Sequence, residues 1–519
     1  MNTKFLFCLA FLPFVLASAA HGQVWFVDSG SIANPQNGTS WSAAFSGIQA
    51  AIDAAFAAGG GEVWVKSGVY NEARDSATGA LMLRPDVDVY GGFQGTEVLR
   101  EADRVRLPTT INALSSRDGL PAYHAVIGAD NLILEGFVVL GASANGADLL
   151  GYGGGMLIVD ASPAVRYCTF LNNMALRGGG GMYILDGSPA LSHCTFTGNM
   201  TTLVTDGLNG GGGLLIERGS PEVDDCRFIG NSTNVRGGGL RVNFAESQPL
   251  VTACLFDGNV ATRVGGGAFN SNGARPVYER TMFRNNSAGN DGGGMSNGAG
   301  ASIRLENCLY YRNYAGQRGG GLCNGGDSSA AIVNSTFAGN NSNFIAGAIF
   351  RGSNSTTSIV NSIVWANVPD ATAAGAGDSS TVIEASFSII QGGMEGNAIL
   401  DTDPRFAGAA QGDYRPGYGS PALDAGTAID APDVDLEGRV RPMDGGIDLG
   451  AYEVSLEDIV RGVGCSVPGS GASMSSSAAG DFLAIASVVL LLAVSHFTSL
   501  RHGSPVRSGN RSGGGTNGY

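Results

Sequence analysis

The chain has 519 residues, of which 82 are glycine, 43% are hydrophobic and 14% are charged. Glycine stands at about twice its usual share, but so much apolar content excludes a disordered chain. A formal net charge of −15 argues against nucleic acid and anionic membrane surfaces as partners. Only Lys4 and Lys66 are lysines, so arginine carries nearly all the positive charge.

Residues 1–22 carry Lys4, an apolar run over 5–16 and small residues at Ala17, Ala19 and Ala20, the pattern of a secretory signal peptide. Cys8 lies inside the apolar run, not at a cleavage site, which argues against a lipoprotein. Residues 23–121 are expected to form an N-terminal cap and the first turns of the fold. Within them 24–28 and 62–70 have strand character, and 34–40 is a polar loop. Helical spacing runs over 43–58 through Phe45, Ile48, Ile52 and Phe56, with Ser42 as N-cap and Gly59, Gly60 and Gly61 as the stop. An amphipathic helix at this place is expected to cover the open end of the core that follows. Residues 81–92 and 123–141 look like irregular first turns.

Residues 122–400 are organised by a repeat. A Cys-x-Phe-x-x-Asn core with relaxed members recurs with its small first residue at Cys168, Cys194, Cys226, Cys254, Thr281, Cys308, Ser335 and Ser362, in steps of 26 to 32 residues that settle at 27. Its last residue returns as Asn173, Asn199, Asn231, Asn259, Asn286, Asn313, Asn340 and Asn367. A fixed period of this size means stacked repeats. Glycine triplets and short β-branched or aromatic runs make each unit a set of strands, not helices. An apolar residue stands three before each Cys position (Val165, Leu191, Val223 and so on). Inward positions at −3, 0 and +2 break strict alternation, so the chain must bend between −3 and 0. Asn307, Asn334 and Asn361 stand in that bend, and asparagine tolerates the left-handed conformation a corner needs. The fold class is therefore all-β: a right-handed parallel β-helix with an N-terminal capping helix. Like residues should pile up about 4.8 Å apart into Cys, Phe and Asn columns, with Asn270, Asn297 and Asn324 as a second amide column. Roughly eight clear turns plus weaker ones at each end imply a rod about 45 to 55 Å long. Inward Cys acts as a small hydrophobe, and Thr281, Ser335 and Ser362 in the same column point to a size requirement, so most cysteines are expected to stay unbridged.

Two insertions, over 142–152 and 200–209, fall at the same point of the turn and should project from one edge of the rod, where function tends to sit. The second residue after each glycine block (Leu157, Tyr183, Leu215, Arg241, Phe269, Ser296, Cys323, Phe350) should face outward. Such a row is either a sugar-stacking track, with Tyr183, Phe269 and Arg241 as binding residues, or a face that the insertions cover. Arg177, Arg236 and Arg318, just before the glycines, read as a surface charge row. Asp224 and Asp225 form the one paired-acid motif of the repeat. With Arg218 and Arg241 nearby they are the candidate catalytic residues of a lyase or hydrolase. A solvated corner is the favoured reading of the pair. Only His124 and His193 lie between the signal and the apolar tail segment, which leaves little material for His-centred catalysis.

From residue 401 the composition changes. Residues 401–454 hold 11 acidic against 4 basic residues and read as a closing cap module. Asp430, Asp433, Asp435 and Glu437 are a candidate calcium loop by oxygen-ligand density, without helix-loop-helix spacing, and no other cofactor is expected. Residues 455–481 are a Ser/Gly/Ala linker. Residues 482–500 lack a formal charge and are long enough to cross a bilayer, and 501–519 are a basic tail expected on the cytoplasmic side.

The glycine triplets with Phe-x-x-Asn resemble the repeats of polymorphic outer-membrane proteins and, more broadly, right-handed parallel β-helix proteins of bacterial surfaces. The likeness covers roughly residues 130–395. It implies an extracellular, surface-held product that is adhesive or glycan-directed. Unlike those relatives, the sequence after Glu453 is too short for an autotransporter barrel. The tail instead resembles a C-terminal sorting signal, with Cys465 as a processing site, or a retained anchor. The reading is a surface-anchored, monomeric, non-catalytic β-helix for adhesion or glycan binding. A polysaccharide lyase or glycoside hydrolase, and a structural stalk, are the alternatives.

Overall fold

A computed structural model describes residues 23–72, 74, 77–204, 210–374, 382–455 and 457. The signal segment 1–22, nearly all of the 455–481 linker, the apolar segment 482–500 and the 501–519 tail lie outside the described residues. Among the described residues no helix is long and apolar enough to cross a membrane.

One turn shows how the repeat folds. A strand after the glycine triplet (Met182–Leu185) leads to a pre-corner strand (Ala190–Ser192), a post-corner strand (Thr195–Thr197) and a two-residue strand (Met200–Thr201). Each pairs in parallel, in register, with its equivalent one turn on: Met182 with Leu214, Leu191 with Val223, Phe196 with Phe228, Met200 with Ser232. The post-glycine strands make an 11-stranded sheet and the two-residue strands an 8-stranded one, while the pre- and post-corner strands share a 25-stranded sheet. The bend falls where the broken alternation requires it. Tyr167, His193, Asp225, Ala253, Arg280, Asn307, Asn334 and Asn361 all have φ between 44° and 55°. A second left-handed corner, at Gly198, Gly230, Gly258 and their equivalents, turns the following Asn inward.

The predicted columns are present. Phe170, Phe196, Phe228, Phe256, Phe283, Tyr310 and Phe337 stack at centroid spacings of 4.5 to 4.9 Å, all fully buried. Beside them each ladder Asn donates from Nδ2 to Oδ1 of the next, as Asn199 to Asn231 at 3.0 Å and Asn259 to Asn286 at 2.9 Å. The second amide column runs from Asn270 to Asn297 (2.9 Å) to Asn324 (3.2 Å). The six cysteines among the described residues are free and buried. Those of the ladder donate to carbonyls, as Cys194 Sγ does to Val165 at 3.4 Å. The glycine triplets are needed because this interior lies hard against them. A Cβ on Gly239 would stand 2.7 Å from the Gly267 carbonyl oxygen and 2.9 Å from the Phe256 ring.

Helix α1 (Ile48–Ala57) closes the N-terminal end with Ile48, Ala51, Ile52 and Ala55 buried against the first strands. It starts later than the spacing suggests. Residues Trp41–Ala43 form a 3₁₀ turn, and the N-cap is Gly47, not Ser42. The carboxylate of Glu72, 24 residues on, accepts from the Ile48 N–H at 3.2 Å and supplies the cap that Gly47 lacks. At the other end Val382–Ile390 and Asn397–Leu400 cover the last turn, with Ile383, Met394 and Ile399 packed on the core. Residues 401–454, expected to close this end, lie instead along the flank of the last turns. Asn307, Asn334 and Asn361 of the corner row donate to the Val434, Asp448 and Thr427 carbonyls at 2.7, 3.2 and 2.7 Å. Tyr414, Leu449 and Tyr452 bury against Leu309, Tyr311 and Ile363.

Candidate functional site

Alternate residues of each post-glycine strand point into the core (Met182, Ile184) or away from it (Tyr183). The outward row is not a solvent face as expected. It is buried throughout, from Leu215 at 0% to Phe269 at 7% exposed. The segment before each glycine triplet runs back beside the next strand and walls it in. So close is the approach that a Cβ on Gly178 would fall 2.4 Å from Leu215 Cδ2.

The row divides into two halves. Upstream, Leu157, Tyr183 and Leu215 form a sealed apolar cluster with Ile127, Tyr152 and Leu185. Tyr152, at the end of the first insertion, stacks on Tyr183 at 4.7 Å. Tyr183 Oη donates to Glu217 at 2.7 Å, and burial pushes the phenol well above its usual range. Tyr183 is thus closed off from ligand stacking, and the covering alternative describes this half.

Downstream, where the described roof ends, the row becomes the floor of a slot of about 720 Å³. Arg241, Phe269, Ser296, Cys323 and Phe350 line the floor, one from each of five consecutive turns. At about 4.8 Å per turn this is a run of about 19 Å. One wall carries Arg236, Arg263, Asp291 and Arg318, and the other is built from small and polar residues such as Asn272, Ala299, Gly326 and Ser353. Arg177, Arg236 and Arg318 are half-buried and bend over aromatic rings: Arg177 over Tyr152 (6.0 Å), Arg236 over Phe269 (5.7 Å) and Arg318 over Phe350 (4.7 Å). They are wall residues, not a free charge row. Arg318 also holds Asp291 bidentately at 2.9 and 2.7 Å, which raises the guanidinium pKa. Arg241 lies nearly sealed in the floor with its guanidinium 5.5 Å from the Phe269 centroid. Burial, followed by the neighbouring Arg236, lowers it to about 10, while Glu217 acts the other way, so it is cationic at neutral pH.

Among the described residues the slot brings Arg236, Arg241, Arg263 and Arg318 together with Asp291. Two predicted residues, Arg241 and Phe269, meet there. Arg263 and Asp291 escaped the sequence reading. The period offered a signal for Asp291, which shares a column with Arg236 and Arg318. Arg263 stands one place off that column, where Val264 takes the equivalent position.

The other predicted residues lie elsewhere. Asp224 ends a pre-corner strand and Asp225 is the corner itself, both exposed. Asp225 Oδ2 stands 3.8 Å from His193 Nε2. Arg218 follows a post-glycine strand and pairs bidentately with Asp186 at 2.7 Å. The structure thus does not gather Asp224, Asp225, Arg218 and Arg241 around one point. Asp225 lines a smaller cleft, about 380 Å³, with Arg280, Arg284 and the flanking module's Glu437 and Tyr452. In the proposed calcium loop, Asp435 is fully buried. Its Oδ1 accepts from the Glu437 and Arg439 N–H groups at 2.9 and 2.8 Å, and its Oδ2 accepts from Glu453 N–H at 2.9 Å. Glu437 pairs with Arg439 at 3.3 Å, and Asp430 and Asp433 are exposed. Asp435 is a turn organiser, and among the described residues no group of three or more His, Cys, Asp or Glu is placed to hold a metal ion.

Comparison with curated proteins finds no match. Among solved structures the chain is similar to pectate lyase Pel9A, with 12% identity and a TM-score of 0.39 over 84% of this chain and 98% of that one. It is also similar to the A-module of the Azotobacter vinelandii mannuronan C-5 epimerase AlgE4, with 14% identity and a TM-score of 0.32 over 65% of this chain and 94% of that one. Residues 156–337, the regular heart of the repeat, match the family described as the right handed beta helix region.

Proposed function

We propose that this chain is an exported, surface-held β-helix that binds an acidic glycan in the slot along its post-glycine sheet, without cleaving it. One observation carries the reading: Arg236, Arg263 and Arg318 line a slot whose floor carries Arg241, Phe269 and Phe350. Arginine matches carboxylate and sulfate through paired N–H donors, and a phenylalanine floor suits the apolar face of a sugar ring. Export and anchoring rest on the sequence patterns of 1–22 and 482–500. A monomer held in this way would serve adhesion to a glycan-coated surface. Titration of the full chain with uronate, sulfated and neutral oligosaccharides tests the binding. Acidic ligands should bind, weaken as salt rises, and lose about tenfold in affinity with Arg263→Ala, the value of one charge-assisted contact. Equal binding of neutral sugars, or no effect of Arg263→Ala, overturns the proposal.

The same arginines give some support to a second reading, a lyase. Proton removal beside a uronate carboxylate needs a cation to neutralise that carboxylate and a base to take the proton. The slot supplies cations. Among the described residues its one carboxylate, Asp291, is held by Arg318, and none of those lining it is His or Lys. A hydrolase would need two opposed carboxyls. Ultraviolet absorbance from unsaturated uronate, appearing on incubation with polyuronates, would replace the binding reading with this one. A stalk with no ligand is the outcome if neither binding nor turnover is found.

A further inference from the structure

The smaller cleft, about 380 Å³, lies at the seam between the rod and the flanking module. Its rod side spans three consecutive turns. Their corner residues are Asp225, Ala253 and Arg280, and the strands that follow begin with Arg227, Leu255 and Met282, which pair in register. The middle turn contributes least bulk. At its corner Ala253, with φ 53°, stands where earlier turns carry Tyr167 and His193 at 51° and 55°. The module side is Leu436, Glu437 and Tyr452. Met282 and Leu436 are packed on the buried cluster that holds Leu309, Tyr311 and Tyr452, so with Leu255 they give the cleft an apolar floor.

The charged groups around this floor are unequally committed. Arg284 grips Asp257 bidentately at 2.9 and 2.7 Å and donates to Tyr311 Oη at 3.1 Å. Glu437 stands 3.3 Å from Arg439, and Asp225 3.8 Å from His193. Arg227 and Arg280 are half-buried, and among the described residues neither guanidinium makes a hydrogen bond or an ion pair. The Arg280 head group reaches across to the module: a Cβ on Gly438 would stand 3.9 Å from its Nη1. Arg227 and Arg280 are two turns apart, about 10 Å along the rod, a gap that two arginine side chains can close from either side over Ala253.

We propose that this cleft binds a small organic acid, its carboxylate between Arg227 and Arg280 and its apolar body on Leu255, Met282 and Leu436. Guanidinium groups match a carboxylate through paired N–H donors, and the floor rewards an apolar body that a bare anion lacks. Because rod and module both touch it, the ligand fastens the module to the rod. The site is separate from the slot, and the two can fail independently.

The test titrates the full chain with naphthylacetate, phenylacetate, acetate and phenylacetamide. The two aromatic acids should bind at least about tenfold tighter than acetate, which lacks the body, and than the amide, which lacks the charge. Bound acid should slow protease cleavage within 401–454, because it binds the docked module only. Arg280→Gln should weaken phenylacetate at least about tenfold at unchanged melting temperature. Ala253→Tyr should do the same by filling the gap with the residue that another corner, Tyr167, already carries, while both arginines stay. The slot variant Arg263→Ala should leave phenylacetate binding unchanged. Equal binding of acid and amide, undiminished binding in both cleft variants, or binding that leaves cleavage of the module unslowed overturns the proposal. Failure of both aromatic acids also overturns it and leaves the glycan reading of the slot standing.

Discussion

The asparagine column is the most exacting feature of the fold, and Asn259 is the place to test it. The residue is fully buried and its side chain makes four hydrogen bonds. Nδ2 donates to Asn286 Oδ1 (2.9 Å) and to the Phe228 carbonyl (2.8 Å), while Oδ1 accepts from the N–H and the Nδ2 of Asn231 (both 3.0 Å). Asn259→Ala removes all four bonds and leaves the Asn231 N–H, one Asn231 Nδ2 hydrogen and the Phe228 carbonyl short of these partners in a buried interior, while Asn286 Oδ1 keeps the backbone N–H of residue 259 at 3.0 Å. At about 1 kcal/mol net for each bond, the loss is about 4 kcal/mol, and incomplete relaxation of the stranded groups works upward from there. Asn259→Asp should be worse at neutral pH despite its matching shape. Its carboxylate still accepts from Asn231, but it points an anionic oxygen at Asn286 Oδ1 and the Phe228 carbonyl, where donation is required. Protonation restores one donor, so the aspartate carries a raised folded pKa. Its penalty is greatest above that pKa and shrinks as the pH falls through it. Urea denaturation of the full chain at pH 7 and pH 4.5, followed by circular dichroism, measures both effects. A loss below about 1 kcal/mol for Asn259→Ala, or an aspartate variant whose deficit does not narrow in acid, would refute the column as a fully satisfied network.

Three further outcomes follow from particular contacts. Gly239→Ala should destabilise by at least about 2 kcal/mol, because its Cβ meets the Gly267 carbonyl and the Phe256 ring. Gly258→Ala, at φ 65° with nothing within 4 Å, should lose only the left-handed strain of about 1 to 2 kcal/mol; equal effects in paired urea melts would count against the packing account. Asp448, in the flanking module, is 2% exposed, and burial pushes its carboxyl up to about 7 with Glu453 adding in the same direction. The folded state then binds the proton more tightly than the unfolded chain. This contribution is complete below about pH 4 and is lost as pH rises through about 7, about 2 to 4 kcal/mol in all; Asp448→Asn should flatten the pH profile of protease cleavage in 401–454. Chelation with EDTA should leave the melting temperature unchanged, since both oxygens of Asp435 already accept backbone N–H groups; a fall of several degrees reversed by calcium would contradict this.

The interior of this fold was legible because it obeys a one-dimensional rule. The break in alternation at Cys168 and its equivalents demands a corner one residue earlier, and that residue is left-handed in every turn from Tyr167 to Asn361. The Phe and Asn columns follow from the period alone. What failed were statements about the outside. Alternation shows that Tyr183 and Leu215 point away from the core, but it cannot show that Tyr152 and Gly178 lie over them. The helix cap failed for a related reason: the group that satisfies the Ile48 N–H is Glu72, which only the tertiary fold brings near. Asn307, Asn334 and Asn361 illustrate both cases. Their backbones were predictable from the corner, whereas their amide groups dock residues 427–448, a use that no local pattern signals.

These failures share a cause that also explains where the slot lies. A regular solenoid presents nearly the same surface on every turn, so nothing in the repeat itself singles out one stretch for binding. Selection comes from the irregular segments. The 142–152 insertion brings Tyr152 over the upstream part of the post-glycine sheet, and residues 401–454 occupy the opposite flank along the last turns. The turns from Arg241 to Phe350 keep a lined opening, and among the described residues none of 142–152 or 401–454 lines it. Substitutions in the ladders should therefore act on stability along the whole rod. Exchanges of the irregular segments should instead relocate or close the slot while leaving the core spacing of 4.5 to 4.9 Å between stacked rings untouched.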